Sequence, residues 1–316
     1  MRDTFAPPAP DDAPLNYFER PVLKRPQWGG EVIAYLFLGG IMGGCGIIAM
    51  LADRSNERNL ALSSKLSAFA LASVCPVVLI SHLGKPKRFL HMLRIVKLKS
   101  PMSMGVWGLI AFSGTAGAAA LGELATAGRL PRYIRALSPP GTTLLQGLLG
   151  AFMTGYTGVL LSATAVPIWA KGKRHIPAAC VCSGLAGAAA LNALLLLRGA
   201  NHEAIAKLER LEVAAGAAEL LILLHFRKHA GDYGKPMYEG ALGERFFRAC
   251  IIGGLALPLA INSVSVIARP KGAISTFLTI AAGALTLGGG VIFRQTLIES
   301  GKRSADDPKA GLAQPT

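Results

Sequence analysis

The sequence predicts an all-α membrane protein in which eight transmembrane helices form a polytopic bundle with short loops. Of its 316 residues, 52% are hydrophobic and only 16% are charged, whereas a soluble domain carries about 25% charged residues. The mean hydropathy is +0.43. So few charged side chains cannot cover a water-exposed surface, and the apolar segments are therefore predicted to lie in lipid.

Eight apolar segments each approach the roughly 20 residues that a helix needs to cross a bilayer. The sixth is the weakest, because Glu212 and Glu219 interrupt it, and the link 269–272 before the last one predicts a tight helical hairpin. The predicted spans are residues 31–52, 62–82, 104–125, 143–166, 176–197, 206–226, 249–268 and 272–293.

The remaining sequence divides the chain into three predicted regions. Residues 1–30 contain prolines and aspartates and no apolar run, so we expect an extramembrane segment without a cleavable signal peptide. Residues 31–295 form the predicted eight-helix transmembrane domain, and residues 296–316 are predicted to be a flexible C-terminal tail.

The formal net charge of +15 is unevenly distributed. An even number of spans places both termini on one side of the membrane, which we call the terminal face; we call the other side the loop face. With the predicted spans, 22 of the 33 Lys and Arg residues belong to the terminal face and 11 to the loop face. The positive-inside rule then predicts cytoplasmic termini and a location in the cell inner membrane. A basic loop is also a docking surface, so this alternative stays open.

Several function classes do not fit this composition. The apolar content excludes disorder, and long apolar blocks separate the basic residues, which disfavours a nucleic-acid binder. The five cysteines include no CxxC pair, so no disulfide framework, zinc site or iron–sulfur site is predicted. Only His82 and His225 lie at span ends, so buried axial histidine pairs are missing. We therefore expect neither haem nor another metal in this chain.

The first informative stretch surrounds the start of span one, 28–40. Glu31 and Tyr35 are four residues apart and share one helical face, with Trp28 about one turn earlier. A carboxylate, a phenol and an indole are thereby predicted on one stripe at the membrane boundary. The alternative for Trp28 and Tyr35 is an anchoring role at the headgroup level, which is common for both residue types.

Two further stretches complete a recognisable set. Spans two and three are joined by Ser81-His82-Leu83-Gly84-Lys85-Pro86-Lys87-Arg88-Phe89 and then Ser100-Pro101-Met102-Ser103-Met104-Gly105, and span four contains Tyr156-Thr157-Gly158-Val159-Leu160-Leu161-Ser162. Together with the first stretch, these motifs resemble the NrfD/PsrC family, the integral membrane subunits of polysulfide-reductase-type complexes. The resemblance covers most of the first 170 residues; the remainder resembles the family in hydropathy pattern only.

The resemblance implies a helical quinone-binding subunit without a resident cofactor. Such a subunit passes electrons between an iron–sulfur, ferredoxin-like partner and the membrane pool of menaquinone or ubiquinone, and a molybdopterin enzyme is often the catalytic subunit. This sequence departs from the pattern at His82, which stands where many relatives carry an acidic residue. If that acid moves protons, His82 must replace it or the route differs.

Quinone reduction consumes two electrons and two protons, so its site needs an apolar slot, hydrogen-bond donors and a proton path. Tyr156, in the middle of span four, is a donor in an apolar setting, and Gln146 lies almost three turns earlier. We expect the rest of the quinone site to come from the first stretch and the end of span two, at Trp28, Glu31, Tyr35 and His82. The alternative for His82 is simply to cap its helix.

Glu219 lies near the middle of span six, where a carboxylate costs roughly 2.5 kcal/mol or more. We therefore expect it to face the bundle interior, with Asn192 of span five and Asn262 of span seven as candidate partners. The hypothesis is a proton path that includes Glu219, His82, Asn192 and Asn262. The alternative is a protonated glutamate that bonds a neighbouring helix.

The loop after span two is strongly basic and predicts a docking surface for an acidic iron–sulfur subunit, formed by Lys85, Lys87, Arg88 and Arg94. Its alternative is a topology signal that also contacts anionic lipid. No nucleophile set, metal set or nucleotide loop is present, so no catalysis by the chain alone is expected. Two other classes stay open: a secondary transporter or ion channel, and a purely structural membrane anchor.

Overall fold

The computed structural model describes residues 21, 23–82, 91–94, 96, 97, 99–199 and 201–308. In these ranges the long elements are all α-helical, with one π-helical stretch, Phe246–Ala256, inside the seventh helix. We number the eight long helices in chain order: α1 (Gly30–Arg54), α2 (Arg58–His82), α3 (Pro101–Thr126), α4 (Thr142–Ser162), α5 (His175–Leu196), α6 (His202–Ala230), α7 (Gly240–Ala268) and α8 (Ala273–Asp306).

Seven of these helices, within the described ranges, are long and apolar enough to cross a membrane; α6 is the exception. The expected count of eight spans is therefore met only in part. Charged residues along α6, among them Glu209, Glu212 and Glu219, lower its hydropathy although it is 29 residues long. All three carboxylates are buried against other helices, so the sequence interruption reflects burial in protein and not a break in the helix.

Glycines of α1 let three helices pack closely at the centre of the bundle. A Cβ atom on Gly43 would lie 2.5 Å from the Gly150 carbonyl oxygen of α4, and one on Gly44 would lie 2.6 Å from the Gly184 carbonyl oxygen of α5. Such contacts exclude any side chain. The two overlapping GxxxG pairs of α1 thus face two different helices, which supplies close packing where lipid provides no hydrophobic drive.

The C-terminal end differs from the expected flexible tail. Helix α8 continues through Asp306, and its last turns contain the buried residues Leu297, Ile298 and Ala305. These turns pack against the short helix Pro167–Lys171, where the Trp169 indole nitrogen donates a hydrogen bond of 2.9 Å to the Leu297 carbonyl. Burial of this apolar stripe keeps residues 296–306 helical, so this part of the predicted tail belongs to the folded domain.

Contacts between helix ends define the two faces. At the terminal face, Trp28 before α1 stacks on Trp169 after α4, with ring centroids 5.1 Å apart. At the loop face, Lys65 of α2 bridges Asp53 of α1 and Glu123 of α3, with distances of 2.8 and 2.7 Å. The alternation of helix direction expected from the sequence is therefore present from α1 through α4.

Candidate functional site

Two sequence motifs meet where Tyr156 of α4 lies on Gly105 of α3. A Cβ atom on Gly105 would lie 1.9 Å from the Tyr156 Cζ atom and 2.0 Å from its hydroxyl oxygen, so only glycine accommodates the ring. Ser100 caps α3 by accepting a hydrogen bond from the Ser103 amide, and Pro101 occupies the first turn. The motif Ser100–Gly105 therefore both starts α3 and leaves space for Tyr156.

Tyr156 is 5% exposed, and none of the hydrogen bonds between described residues involves its hydroxyl. Buried phenols usually find a partner, so this hydroxyl is a donor that is available to a ligand. Tyr35 of α1 is also buried and lies within electrostatic range of Tyr156 and of Cys75 in α2. Helices α1, α2, α3 and α4 thus bring two phenols and a thiol together in an apolar setting.

The four other residues predicted for a quinone site differ in their surroundings. Trp28 stacks on Trp169 at the terminal face, Glu31 is exposed in the first turn of α1, and His82 is half-buried at the last residue of α2. Gln146 is fully buried, with neither side-chain atom hydrogen-bonded within the described ranges.

Gln146 and Tyr156 are separated along α4. Ten residues correspond to about 15 Å of helix and leave the two side chains about 80° apart around the axis. The Gln146 backbone packs against Gly46 of α1, on the loop-face side. Of the six residues predicted for the quinone site, the structure therefore places Tyr35 and Tyr156 together, with Gln146 well separated from them.

Glu219 is 2% exposed and faces α5 and α8, as expected for the bundle interior. Its neighbours are Ser183 and Arg294, whereas the predicted partners lie elsewhere. The Asn192 side-chain oxygen accepts hydrogen bonds from Ser63 and Ser64 of α2. Asn192 thus ties α5 to α2 and is not a partner of Glu219.

Arg294 is the residue that the sequence analysis missed. It is 1% exposed inside the bundle, donates 3.3 Å to the Cys180 carbonyl of α5, and lies 4.9 Å over the Phe293 ring. Its Nε and remaining terminal nitrogen have no partner among the described residues. The predicted eighth span ended at residue 293, so Arg294 lay one residue outside it. The apolar spacing that continues to residue 298 was the signal that could have placed Arg294 inside the bundle.

Two further carboxylates of α6 also reach α8. Glu209 accepts a 2.9 Å hydrogen bond from Thr279, and Glu212 accepts one from Thr286. Asn262 of α7 lies beside Glu212, and neither atom of its amide is hydrogen-bonded within the described ranges. Since Thr279 and Thr286 are seven residues apart on α8, they share one helical face.

Cavities lie at both ends of this row of carboxylates. A cavity of about 520 Å³ opens at the loop face and is lined by Glu209, Ser265, Arg269 and Lys271, among others. A second cavity, of about 10 Å³, is lined by Glu219 and, on other helices, by Ser183, Cys250 and Thr286. This volume is close to what one water molecule requires. We call Glu209, Glu212, Glu219 and their α8 partners Thr279, Thr286 and Arg294 the polar row.

Three histidines lie in contact at the terminal face. Their spacing along the chain did not predict this contact. The His175 Nε2 atom lies 2.9 Å from the His225 Nδ1 atom, and the His229 ring lies 4.9 Å from the His175 ring. These side chains connect the start of α5 with the end of α6. Across the described part of the chain, no group of three or more His, Cys, Asp or Glu side chains could hold a metal ion.

The predicted docking surface falls largely outside the described ranges. Lys85, Lys87 and Arg88 are not described, whereas Arg94 is, and it is exposed at the terminal face between α2 and α3.

The fold and the site define a polytopic helical membrane protein whose buried polar groups come together between α1 and α4 and between α6 and α8. Residues 23–304 match the model of the family described as polysulphide reductase, NrfD. The chain belongs to the NrfD family. It is also similar to a curated protein named "Protein NrfD homolog" from Haemophilus influenzae, with 28% identity over 269 residues, which are 74% of this chain and 83% of that protein.

Proposed function

We propose that this chain is the quinone-reactive membrane subunit of a multi-subunit oxidoreductase, with its quinone site at Tyr156. In this proposal the chain crosses the inner membrane eight times, with α6 as the sixth span, and its termini are cytoplasmic. The observation that carries the proposal is the Tyr156 hydroxyl: its residue is 5% exposed, it forms no hydrogen bond to a described residue, and it is held against Gly105 where two family-like motifs meet.

The chemistry assigned to Tyr156 is to bind and orient the substrate. A quinone that takes up two electrons and two protons becomes a quinol, and a phenol that donates to a quinone carbonyl stabilises the negative charge that develops there. The neighbouring Tyr35 provides a second hydroxyl, and both phenols belong to the apolar core of the bundle. Menaquinone and ubiquinone both fit this description.

Electrons reach or leave the quinone through a partner. We place an iron–sulfur, ferredoxin-like subunit on the terminal face, because the predicted docking residues Lys85, Lys87, Arg88 and Arg94 belong to the loop that leads from α2 to the Gly105 motif. A partner seated there lies on the same side of the bundle as the motif that holds Tyr156. A molybdopterin or other catalytic subunit would complete the complex.

The polar row is the proton route in this proposal. Protons enter the loop-face cavity, pass from Glu209 to Glu212, and reach Glu219 through a water in the small cavity beside Thr286. From Glu209 to Glu219 the row rises about 15 Å along α6. Of the four residues expected from the sequence, Glu219 belongs to this row, Asn262 lies beside Glu212, and Asn192 and His82 are not part of it. Glu209, Glu212 and Arg294 extend the route from Glu219 toward both sides.

The quinone site is tested with Tyr156→Phe in the intact complex. Loss of one neutral hydrogen bond weakens binding by roughly 2- to 10-fold, so we expect KM for quinol to rise by that factor with normal assembly. Tyr133→Phe is the matched control, because Tyr133 is 78% exposed near the loop face. Equal kinetics for the two variants would remove Tyr156 from the site.

The proton route is tested with Glu212→Gln and Glu219→Gln in proteoliposomes that contain the whole complex. We expect electron transfer to quinone to persist and the linked proton movement to slow by about 100-fold, with Glu239→Gln, an exposed residue, as the control. Unchanged proton movement in both variants would contradict the route and leave the quinone site standing.

The polar row also favours a second candidate function, a secondary transporter or ion channel. Its discriminating result is ion flux through the chain reconstituted without partner and without quinone. A purely structural anchor predicts that neither Tyr156→Phe nor Glu219→Gln changes any activity of the complex.

A further inference from the structure

A groove of about 440 Å³ lies between the end of α6 and the start of α7, at the terminal face and apart from the candidate site. Leu223 and Phe246 form its buried floor, while Leu224 and Phe247 are about half exposed on the surface predicted to face lipid. The lining residues are Leu223, Leu224, Arg227, Tyr238, Gly240, Gly243, Glu244, Phe246, Phe247 and Ile251. The groove is therefore apolar along most of its length.

One end of this groove carries an unneutralised cation. The Arg227 guanidinium lies 5.6 Å over the Tyr238 ring and forms no ion pair with any described residue. The one carboxylate of the groove, Glu244, is paired with Arg248 at 2.8 Å. An apolar channel with one guanidinium that forms no ion pair to a described residue is complementary to an acyl chain attached to an anionic phosphate.

The guanidinium is held in place by a rigid support. The Tyr238 hydroxyl donates a 3.3 Å hydrogen bond to the Leu223 carbonyl, and its ring packs edge-on against Phe246. Burial raises the pKa of Tyr238 above its ordinary value, so the phenol stays a donor at neutral pH. Tyr238 thus joins the end of α6 to the start of α7 and presents a flat surface to Arg227.

We propose that this groove binds one anionic glycerophospholipid, with an acyl chain between α6 and α7 and its phosphate on Arg227. Charge complementarity favours this occupant over a quinone, which carries no phosphate, and over a zwitterionic lipid, whose choline group would lie near the basic residues at the end of α6. The lipid would link α6, which carries the polar row, to the π-helical segment of α7. The inference does not depend on the proposed quinone reaction.

The experiment is native mass spectrometry of the purified, delipidated full chain titrated with phosphatidylglycerol or phosphatidylcholine of identical acyl chains. A basic residue near a membrane surface contributes roughly five-fold to anionic lipid binding, so we expect a preference of that size for phosphatidylglycerol. Arg227→Ala should abolish the preference. Lys228→Ala is the matched control, because Lys228 is an adjacent exposed cation that does not line the groove.

A second pair of variants tests the acyl chain. Leu224→Trp fills the groove and should lower the affinity for both lipids, whereas Leu221→Trp, one turn away and outside the groove, should not. Equal binding of the two lipids to the native chain, an unchanged preference for phosphatidylglycerol in Arg227→Ala, or displacement of the bound lipid by a soluble quinone analogue would each overturn the proposal. If Arg227→Ala does not fold, the lipid preference of the native chain and the lipid affinity of Leu224→Trp still test the proposal.

Discussion

Replacing Gly105 by alanine perturbs the candidate quinone site without removing the Tyr156 hydroxyl. The new Cβ atom would lie 1.9 Å from the Tyr156 Cζ atom, whereas carbon atoms in contact stay about 3.5 Å or more apart. The ring must therefore move by roughly 1.5 Å, or the helices must separate. Overpacking of this kind costs about 1–3 kcal/mol, and a hydroxyl displaced so far would lose the hydrogen bond that we propose it makes to a quinone.

The assay measures two quantities for Gly105→Ala in the intact complex: the midpoint of thermal unfolding and KM for quinol. We expect a lower midpoint and a KM raised by up to about 10-fold. Gly114→Ala is the matched control on the same helix, because no atom lies within 4 Å of the position of its Cβ.

A double variant identifies the cause. In a Tyr156→Ala background the obstructing ring is gone, so adding Gly105→Ala should cost no further stability. If Gly105→Ala is as stable as Gly114→Ala and keeps the native KM, the packing of Tyr156 on Gly105 does not shape the site and the reasoning is refuted.

Three further predictions concern other parts of the bundle. Gly289→Ala should lower the unfolding midpoint, because its Cβ atom would lie 2.3 Å from the Gly254 Cα atom of α7, whereas Gly288→Ala, with open space around it, should not. Lys65→Met should destabilise the folded chain by about 1–3 kcal/mol in denaturant unfolding, because it leaves the partly exposed carboxylates of Asp53 and Glu123 unpaired; a native-like value would show that water already solvates them. Trp169→Ala should cost about 3–5 kcal/mol by the same measurement, since it removes the Trp28 stack and the bond to Leu297, and a loss below 1 kcal/mol would contradict this packing.

Hydropathy predicted much of the fold because a bilayer requires long apolar helices. The starts of α1 and α5 fall within one residue of the expected positions. The ends were harder to predict where helices leave the lipid and continue along protein. Helix α7 begins nine residues before its predicted span, and α8 continues through Asp306, because contacts with neighbouring elements stabilise turns that hydropathy cannot detect.

The candidate site was predictable only where sequence motifs identify it. The motifs of α3 and α4 pointed to Tyr156, but the glycine that holds its ring belongs to another helix, and its role appears only when the two are packed together. Gln146 was expected near Tyr156 from a spacing of almost three turns. Ten residues fall about 80° short of three full turns, however, so the two side chains point toward different neighbours. Arg294 and the bonds from α8 to Glu209 and Glu212 depend on pairing between helices about 70 or more residues apart.

The most direct test of a quinone site at Tyr156 is photochemical cross-linking of a photoreactive quinone to the intact complex, followed by identification of the labelled peptides. A site at Tyr156 predicts labelling of the segments around Gly105 and Tyr156, competed by excess native quinone and weakened in Tyr156→Phe. Competed labelling confined to α6 and α7, or labelling that excess quinone does not reduce, would contradict a quinone site at Tyr156.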